Sequence, residues 1–322
     1  MSRLTVWAVG KADDPHLARL RERASDVSLV AGDVPGAFDA SAPPDVIFYW
    51  RAGRGVLEEV WNRGSRPRWV HVPSAGLDHV LSPALVASDT TLTHAHGLYG
   101  GILAEFALAA ALFFAKDLRR MLRSQEAGTW DPFDVVELKG QTMGIVGYGD
   151  IGAAVAERAR PFGMRILALR RRPDLSQRDP RVDEVLPPSA LRDLMARSDH
   201  VVLVAPLTPE TRGMIGEAEI AALRPSAVLV NVGRGAVVDE PALVRALEQR
   251  RIRGAALDVF EKEPLPEGHP FYRLDNVLLS PHCADHTPGW RDTLVDLFLE
   301  NLERFRRRQP LAHVVTDKTR GY

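Results

Sequence analysis

Three residues late in the chain have side chains suited to one kind of chemistry: Arg234, Glu263 and His282. Arg234 lies between two glycines in Val230-Asn231-Val232-Gly233-Arg234-Gly235. An arginine fork can hold a carboxylate through paired, charge-assisted hydrogen bonds and polarise a carbonyl oxygen beside it. A histidinium can supply the proton that a developing alkoxide needs. A neighbouring carboxylate favours the charged imidazole and raises its pKa. Together the three suit hydride transfer to a carbonyl next to a carboxylate. Each also follows a short apolar run that reads as a strand, and open α/β sheets bind ligands just past the carboxyl ends of their strands.

A hydride needs a carrier, and the middle of the chain provides for one. Gly140 to Val146 reads as a turn and a buried strand, Gly147-Tyr148-Gly149-Asp150-Ile151-Gly152 as a glycine turn, and the alanine-rich Ala153 to Ala159 as a helix. Strand, Gly-x-Gly-x-x-Gly and helix in that order form a dinucleotide-binding fingerprint. About 20 residues on, where NAD-binding sheets present an acidic residue to the ribose, the chain reads Ala168-Leu169-Arg170-Arg171-Arg172-Pro173. Arginines there suit a 2′-phosphate, so NADP(H) is the expected cofactor, with NAD(H) the alternative and Arg170 and Arg171 as ligands.

These residues need a parallel sheet to position them, and the pattern predicts two. Runs at 4–9, 27–30, 46–50, 69–72 and 90–93 read as strands, with helices at 15–24 and 56–61 among them. Ile102 to Gln125 reads as one long helix, apolar first and basic later. A second alternation follows the glycine turn, with strands at 164–169, 199–205, 227–230, 254–259 and 277–279 and helices at 188–197, 217–223 and 241–251. Thr287 to Arg308 reads as a last long helix. Strands alternating with helices imply an α/β fold with doubly wound parallel sheets.

The chain's 322 residues, 41 basic against 42 acidic, exclude a strong field toward nucleic acid or anionic membrane. The single cysteine, Cys283, excludes an internal disulfide. The first residues read as a strand rather than a leader, and a cytoplasmic setting is expected.

The joint order of several stretches resembles the D-isomer-specific 2-hydroxyacid dehydrogenase family. They are Ser74 to His79, Leu103-Ala104-Glu105, Gly147 to Gly152, Pro206 to Thr211, Asn231 to Gly235, Asp258 to Pro264, Ser280-Pro281-His282 and Glu300-Asn301-Leu302. The resemblance implies a Rossmann dinucleotide domain over 99–286 and a smaller flavodoxin-like substrate domain built from 1–98 and 287–322. It implies that Arg234 binds the substrate carboxylate and carbonyl, that His282 is the acid/base and that Glu263 is its partner. Ser74, Ala75 and Gly76 would grip the carboxylate, and Trp50 is expected either to wall the substrate pocket with Arg51 or to pack in the core. Ala205, Pro206, Thr211, Val232, Gly233, Arg234, Asp258 and His282 join the glycine turn as cofactor-binding residues. The implied reaction is reduction of a small 2-keto acid, of glyoxylate or hydroxypyruvate type, to the D-2-hydroxy acid.

The family is commonly homodimeric through the nucleotide domain, and Trp130 is expected either to reach a neighbouring subunit or to pack in the core. Arg170 departs from the acidic residue of NAD-using members, which agrees with NADP. Cys283 to Thr287 replaces the usual small residues after the histidine, leaving His286 as a substrate contact or a surface group. Arginine at 51 or 54 would suit an extra anionic group on the substrate, and exposure at the surface explains them equally well. The competing readings are a dinucleotide-sensing corepressor and a formate-oxidising enzyme; the latter has glutamine where Glu263 stands.

Overall fold

Every pairing between the strands is parallel, as alternation of strand and helix requires. The computed structural model describes residues 3–39, 41–51, 55–62 and 66–321. Arg54 lies outside the described residues. The chain divides into two units, Met1–Gly97 with Thr287–Tyr322, and Leu98–His286.

The first unit opens with β1 (Thr5–Gly10), α1 (Pro15–Arg23), β2 (Ser28–Gly32), β3 (Val46–Arg51), α2 (Val56–Asn62), β4 (Trp69–Val72), the short α3 (Pro83–Val86) and β5 (Thr91–His94). Its five strands lie in the order β2-β1-β3-β4-β5, the flavodoxin arrangement. Asp14 caps α1 by accepting the His16 N–H at 2.9 Å, and Pro15 starts the helix where no N–H is needed. Ile47, Tyr49, Val70 and Val72 pack with Leu57 and Trp61 of α2 in one apolar cluster.

The second unit holds α4 (Gly100–Ala115), α5 (Leu118–Glu126), β6 (Thr142–Val146), α6 (Asp150–Ala159), β7 (Arg165–Leu169), β8 (Glu184–Leu186), α7 (Leu191–Arg197), β9 (His200–Leu203), α8 (Glu217–Ala222), β10 (Val228–Asn231), α9 (Glu240–Glu248), β11 (Gly254–Leu257) and β12 (Val277–Leu279). The order β12-β11-β10-β9-β6-β7-β8 runs outward in two directions from β6 and β9. That pair is the topological switch point where such sheets bind dinucleotides.

The helix expected over 102–125 is two helices. Asp117 takes a left-handed backbone, φ 48°, and its side chain accepts the Arg120 N–H at 3.4 Å to begin α5. The apolar α4 packs on α6, while α5 leaves Leu118, Met121 and Leu122 exposed. β8 is a further difference; its Glu184 and short length give no apolar alternation to read.

The chain then returns to the first unit in α10 (Trp290–Arg306). This helix starts three residues later than the sequence predicts, because Pro288 is followed by Gly289 at φ 75°. Phe298 stacks on Phe48 at 4.2 Å and on Trp69 at 5.1 Å between ring centroids. Beyond α10 the chain runs antiparallel to β5, with Val315 N–H on the Leu92 carbonyl at 2.8 Å. No helix among the described residues is long and apolar enough to cross a membrane.

Candidate active site

The glycine turn sits at the switch point, and each of its glycines has a separate physical reason. Gly147 has φ 100°, and a Cβ there would lie 2.6 Å from the Ala205 nitrogen just past β9. A Cβ on Gly152 would lie 2.5 Å from the Gly147 carbonyl oxygen, so its absence lets α6 close on the turn. A Cβ on Gly149 would meet nothing within 4 Å. That face is open, and a diphosphate can approach the backbone there. Gly149 is the N-cap of α6 and no side chain caps the helix. The first-turn N–H groups at Asp150, Ile151 and Gly152 have no acceptor among the described residues, and the helix dipole lies behind them.

Tyr148 ties this turn to the loop after β7. Its hydroxyl donates to Asp179 at 3.0 Å, and Arg181 holds the same carboxylate at 2.7 and 2.8 Å. Burial, then the Asp179 bond, pushes the Tyr148 hydroxyl up to about 12. Arg170 is half-buried at the end of β7 and hydrogen-bonds Ser176; Arg171 and Arg172 are exposed. No carboxylate occurs from Ala168 to Pro173, so the residues present fit a cofactor with a 2′-phosphate. On the other side of the turn, Thr211 fixes the loop after β9 by donating to the Pro206 carbonyl at 2.6 Å while accepting the Thr208 N–H at 2.8 Å. Ala205 is buried beneath that loop.

Arg234, Glu263 and His282 leave the three adjacent strands β10, β11 and β12. The Arg234 loop is pinned by Asn231, whose amide accepts Gly233 N–H at 3.1 Å and donates to the Arg234 carbonyl at 3.1 Å. Gly235 lets this loop lie against the next, since a Cβ there would stand 1.9 Å from the Phe260 carbonyl carbon. Val232 N–H bonds the Leu203 carbonyl at 3.3 Å, which seats Gly233 over the end of β9.

His282 Nδ1 is 2.7 Å from Oε2 of Glu263. The other carboxylate oxygen accepts the Phe260 N–H at 3.0 Å, so Glu263 is held at both ends. The bond to Glu263 raises the His282 pKa against the opposing effect of burial; the Arg234 charge is near enough to work against it too. Burial pulls Glu263 up, yet the bonds from His282 and Phe260 outweigh it and hold its carboxyl below the ordinary value. His282 has φ 51°, a backbone region that residues other than glycine seldom occupy.

Asp258 explains how that backbone is kept. It is 2% exposed, and its Oδ1 accepts Ser280 Oγ at 2.6 Å, Cys283 N–H at 2.9 Å and Ala284 N–H at 3.1 Å. One carboxylate oxygen thus clamps the residues on both sides of His282. The sequence indicates Asp258 as a cofactor residue but gives no sign of this clamp, nor of the Asn231 brace. His286 lies beside Asp285, Nε2 to Oδ1 3.7 Å, in the same loop.

In the first unit, Ser74, Ala75 and Gly76 follow β4. Their carbonyls are all engaged, by Ala95 N–H at 3.2 Å, His94 Nδ1 at 2.9 Å and Ser74 Oγ at 2.7 Å. Their own N–H groups donate to no described residue. Successive free N–H groups form a concavity suited to an anion. Trp50 is 3% exposed, tilted on Phe48 at 5.3 Å, and its Nε1 has no partner among the described residues. Its edge still borders a cavity of about 360 Å³ with Arg51, Ser74 and His79. Trp130, in the second unit, is 95% exposed, so packing in the core is not its role in this chain.

Residues 108–284 match the family model described as D-isomer specific 2-hydroxyacid dehydrogenase, NAD binding domain. A glyoxylate reductase of Korarchaeum cryptofilum is 37% identical over 268 residues, 81% of this chain and 79% of that protein. Among solved structures, a D-isomer specific 2-hydroxyacid dehydrogenase from Xanthobacter autotrophicus, in complex with NADPH and MES, is 29% identical with a TM-score of 0.82, each chain covered in full. An NADPH-dependent glyoxylate/hydroxypyruvate reductase from Sinorhizobium meliloti, in complex with NADP and sulfate, is 25% identical with a TM-score of 0.84, covering 99% of this chain and 100% of that one.

Proposed function

The chain belongs to the D-isomer specific 2-hydroxyacid dehydrogenase family, and from that premise we propose that it reduces a small 2-keto acid, of glyoxylate or hydroxypyruvate type, to the D-2-hydroxy acid with NADPH preferred over NADH. The observation that carries this reading is the 2.7 Å bond between Glu263 and His282, held among the strand-end loops that also carry Arg234.

A bound nicotinamide supplies the hydride. The open first turn of α6 takes the pyrophosphate, and Arg170 with Arg171 takes the 2′-phosphate. Arg234 receives the substrate carboxylate and polarises the carbonyl oxygen. Because His282 Nδ1 is committed to Glu263, Nε2 is the atom that delivers the proton. Glu263 holds the ring in that orientation and favours its charged form. The free N–H groups at Ser74, Ala75 and Gly76 of the first unit are suited to an anion. Met1–Gly97 with Thr287–Tyr322 is then the substrate domain and Leu98–His286 the dinucleotide domain.

A homodimer through the dinucleotide domain is part of the same reading. It is supported by the exposed apolar side chains Leu118, Met121, Leu122 and Trp130 of that domain. The deciding experiment follows NADPH and NADH consumption with glyoxylate, hydroxypyruvate, pyruvate, phenylpyruvate and 2-ketogluconate. Turnover of a 2-keto acid with NADPH favoured supports the reading; no turnover of any of them overturns it.

A further inference from the structure

Tyr148 stands between the first two glycines of the dinucleotide turn, yet it is only 3% exposed, and its hydroxyl reaches out of the turn to Asp179 at 3.0 Å. The bond from Arg181, chiefly, holds the Asp179 carboxyl down to about 2, so this carboxylate can only accept and the tyrosine hydroxyl donates. Arg181 lies two residues further on, and its bonds to Asp179 stay within the loop. The Tyr148 bond joins that loop to the glycine turn. The connection then runs onward. Asp179 N–H donates to the Ser176 carbonyl at 3.0 Å, and the buried Ser176 hydroxyl accepts from Arg170.

The loop has little apolar packing to keep this shape. Leu175 is exposed, and a cavity of about 970 Å³ runs along residues 174–181. Polar bonds therefore set where Ser176 sits, and Ser176 sets where the Arg170 guanidinium sits. Arg170 makes no ion pair with any described residue, and its bond to Ser176 uses Nη1 alone. Nε and Nη2 keep their hydrogens for an anion. A guanidinium restrained in advance loses less rotamer freedom when that anion binds. We infer that Tyr148 and Ser176 are positioning residues for a 2′-phosphate: the path from Tyr148 through Asp179 to Ser176 holds Arg170 ready for it, so that the cofactor preference depends on a hydroxyl in the glycine turn as well as on the arginines. This rests on the NADPH preference proposed above and deepens it.

The test titrates the full chain by calorimetry with adenosine 2′,5′-bisphosphate and with AMP, which differ by the 2′-phosphate alone. The wild-type protein binds the bisphosphate more tightly, by about tenfold or more. Ser176→Ala lowers that ratio by about threefold or more and leaves the AMP affinity as it was. Tyr148→Phe, which keeps the ring and removes the hydroxyl, lowers the ratio in the same way. Tyr148→Phe combined with Ser176→Ala loses no more than the larger single loss, because both act through one path. A ratio that either single variant leaves unchanged overturns the inference. So do losses that fall equally on the two ligands, and single losses that add in full in the double variant. A wild-type ratio near one overturns the NADPH preference itself, and this inference with it.

Discussion

Glu263 and His282 stand 2.7 Å apart, carboxylate oxygen to Nδ1, on loops leaving the neighbouring strands β11 and β12. Neither is placed by its own loop alone. Phe260 N–H fixes the carboxylate, and Asp258 grips the backbone after His282. A left-handed residue that is not glycine costs about 1–3 kcal/mol, so the clamp offsets strain as well as aiming the ring.

His282→Asn is therefore the informative variant, because asparagine tolerates the left-handed backbone and cannot donate the proton. We expect turnover to fall by about 10²–10⁴-fold, with NADPH affinity retained in a fluorescence titration. Unchanged turnover would remove His282 from the proton-donor role.

The pH profile follows from the sign of the shift. Reduction needs protonated His282, whose pKa lies above its ordinary value through the Glu263 bond. The kcat/KM for reduction should hold through the ordinary histidine range and fall only as pH rises through the raised value. Glu263→Gln should move that alkaline limb to lower pH. The raised pKa of His282 contributes stability that is present below its unfolded-state pKa and lost as pH climbs through the folded one.

Arg170→Ala combined with Arg171→Ala should lower kcat/KM for NADPH by about tenfold or more while changing that for NADH little. Equal losses with both cofactors would show that the arginines serve the loop, through bonds such as Arg170 to Ser176, rather than a 2′-phosphate.

Two glycines of one turn should fail differently. Gly147→Ala drives a Cβ to 2.6 Å from backbone at φ 100° and should unfold at lower temperature, by a few kcal/mol of stability. Gly149→Ala meets nothing within 4 Å, so the protein should melt near its usual temperature and instead show a raised KM for NADPH. Thermal melts and cofactor kinetics on both variants separate folding from binding.

His71 ties acid stability to the first unit. Thr93 Oγ1 accepts Trp69 Nε1–H at 2.8 Å and lies 2.8 Å from His71 Nδ1, while His71 Nε2 is buried with no hydrogen-bond partner among the described residues. Burial pushes the ring down to about 3. The unfolded chain takes up this proton near pH 6.5 and the folded one does not, so stability drains away as pH falls below 6.5. The total loss reaches a few kcal/mol. In His71→Met the decline of Tm between pH 6 and 4 should be shallower; an unchanged slope would assign acid lability to other groups.

What the sequence discloses is local. The glycine turn, the apolar strand runs and the stretches around Arg234, Glu263 and His282 announce themselves within a few residues. What it hides depends on neighbours in space. Asp117 turns left-handed and splits a helix that composition alone would continue. Asp258 can grip Ser280, Cys283 and Ala284 only because β11 lies beside β12. The free N–H run at 74–76 emerges only once three carbonyls have found partners, two of them from β5 and the residue after it. Trp130 reads equally as a core residue or as one reaching a neighbouring subunit until its near-complete exposure removes the first.

The stacking of Phe298 on Phe48 and Trp69 has a consequence for the chain as it leaves the ribosome. Chains emerge N-terminus first, at about 5–20 residues per second. The whole of Leu98–His286 is synthesised before Phe298 exists, so that continuous unit can fold while the earlier one still lacks the ring that fills its aromatic stack. During those seconds Phe48 and Trp69 remain uncovered on that side. A nascent chain halted before α10 should accordingly be protease-resistant in its later segment and cleavable in its earlier one, the reverse of the order in which the two were translated.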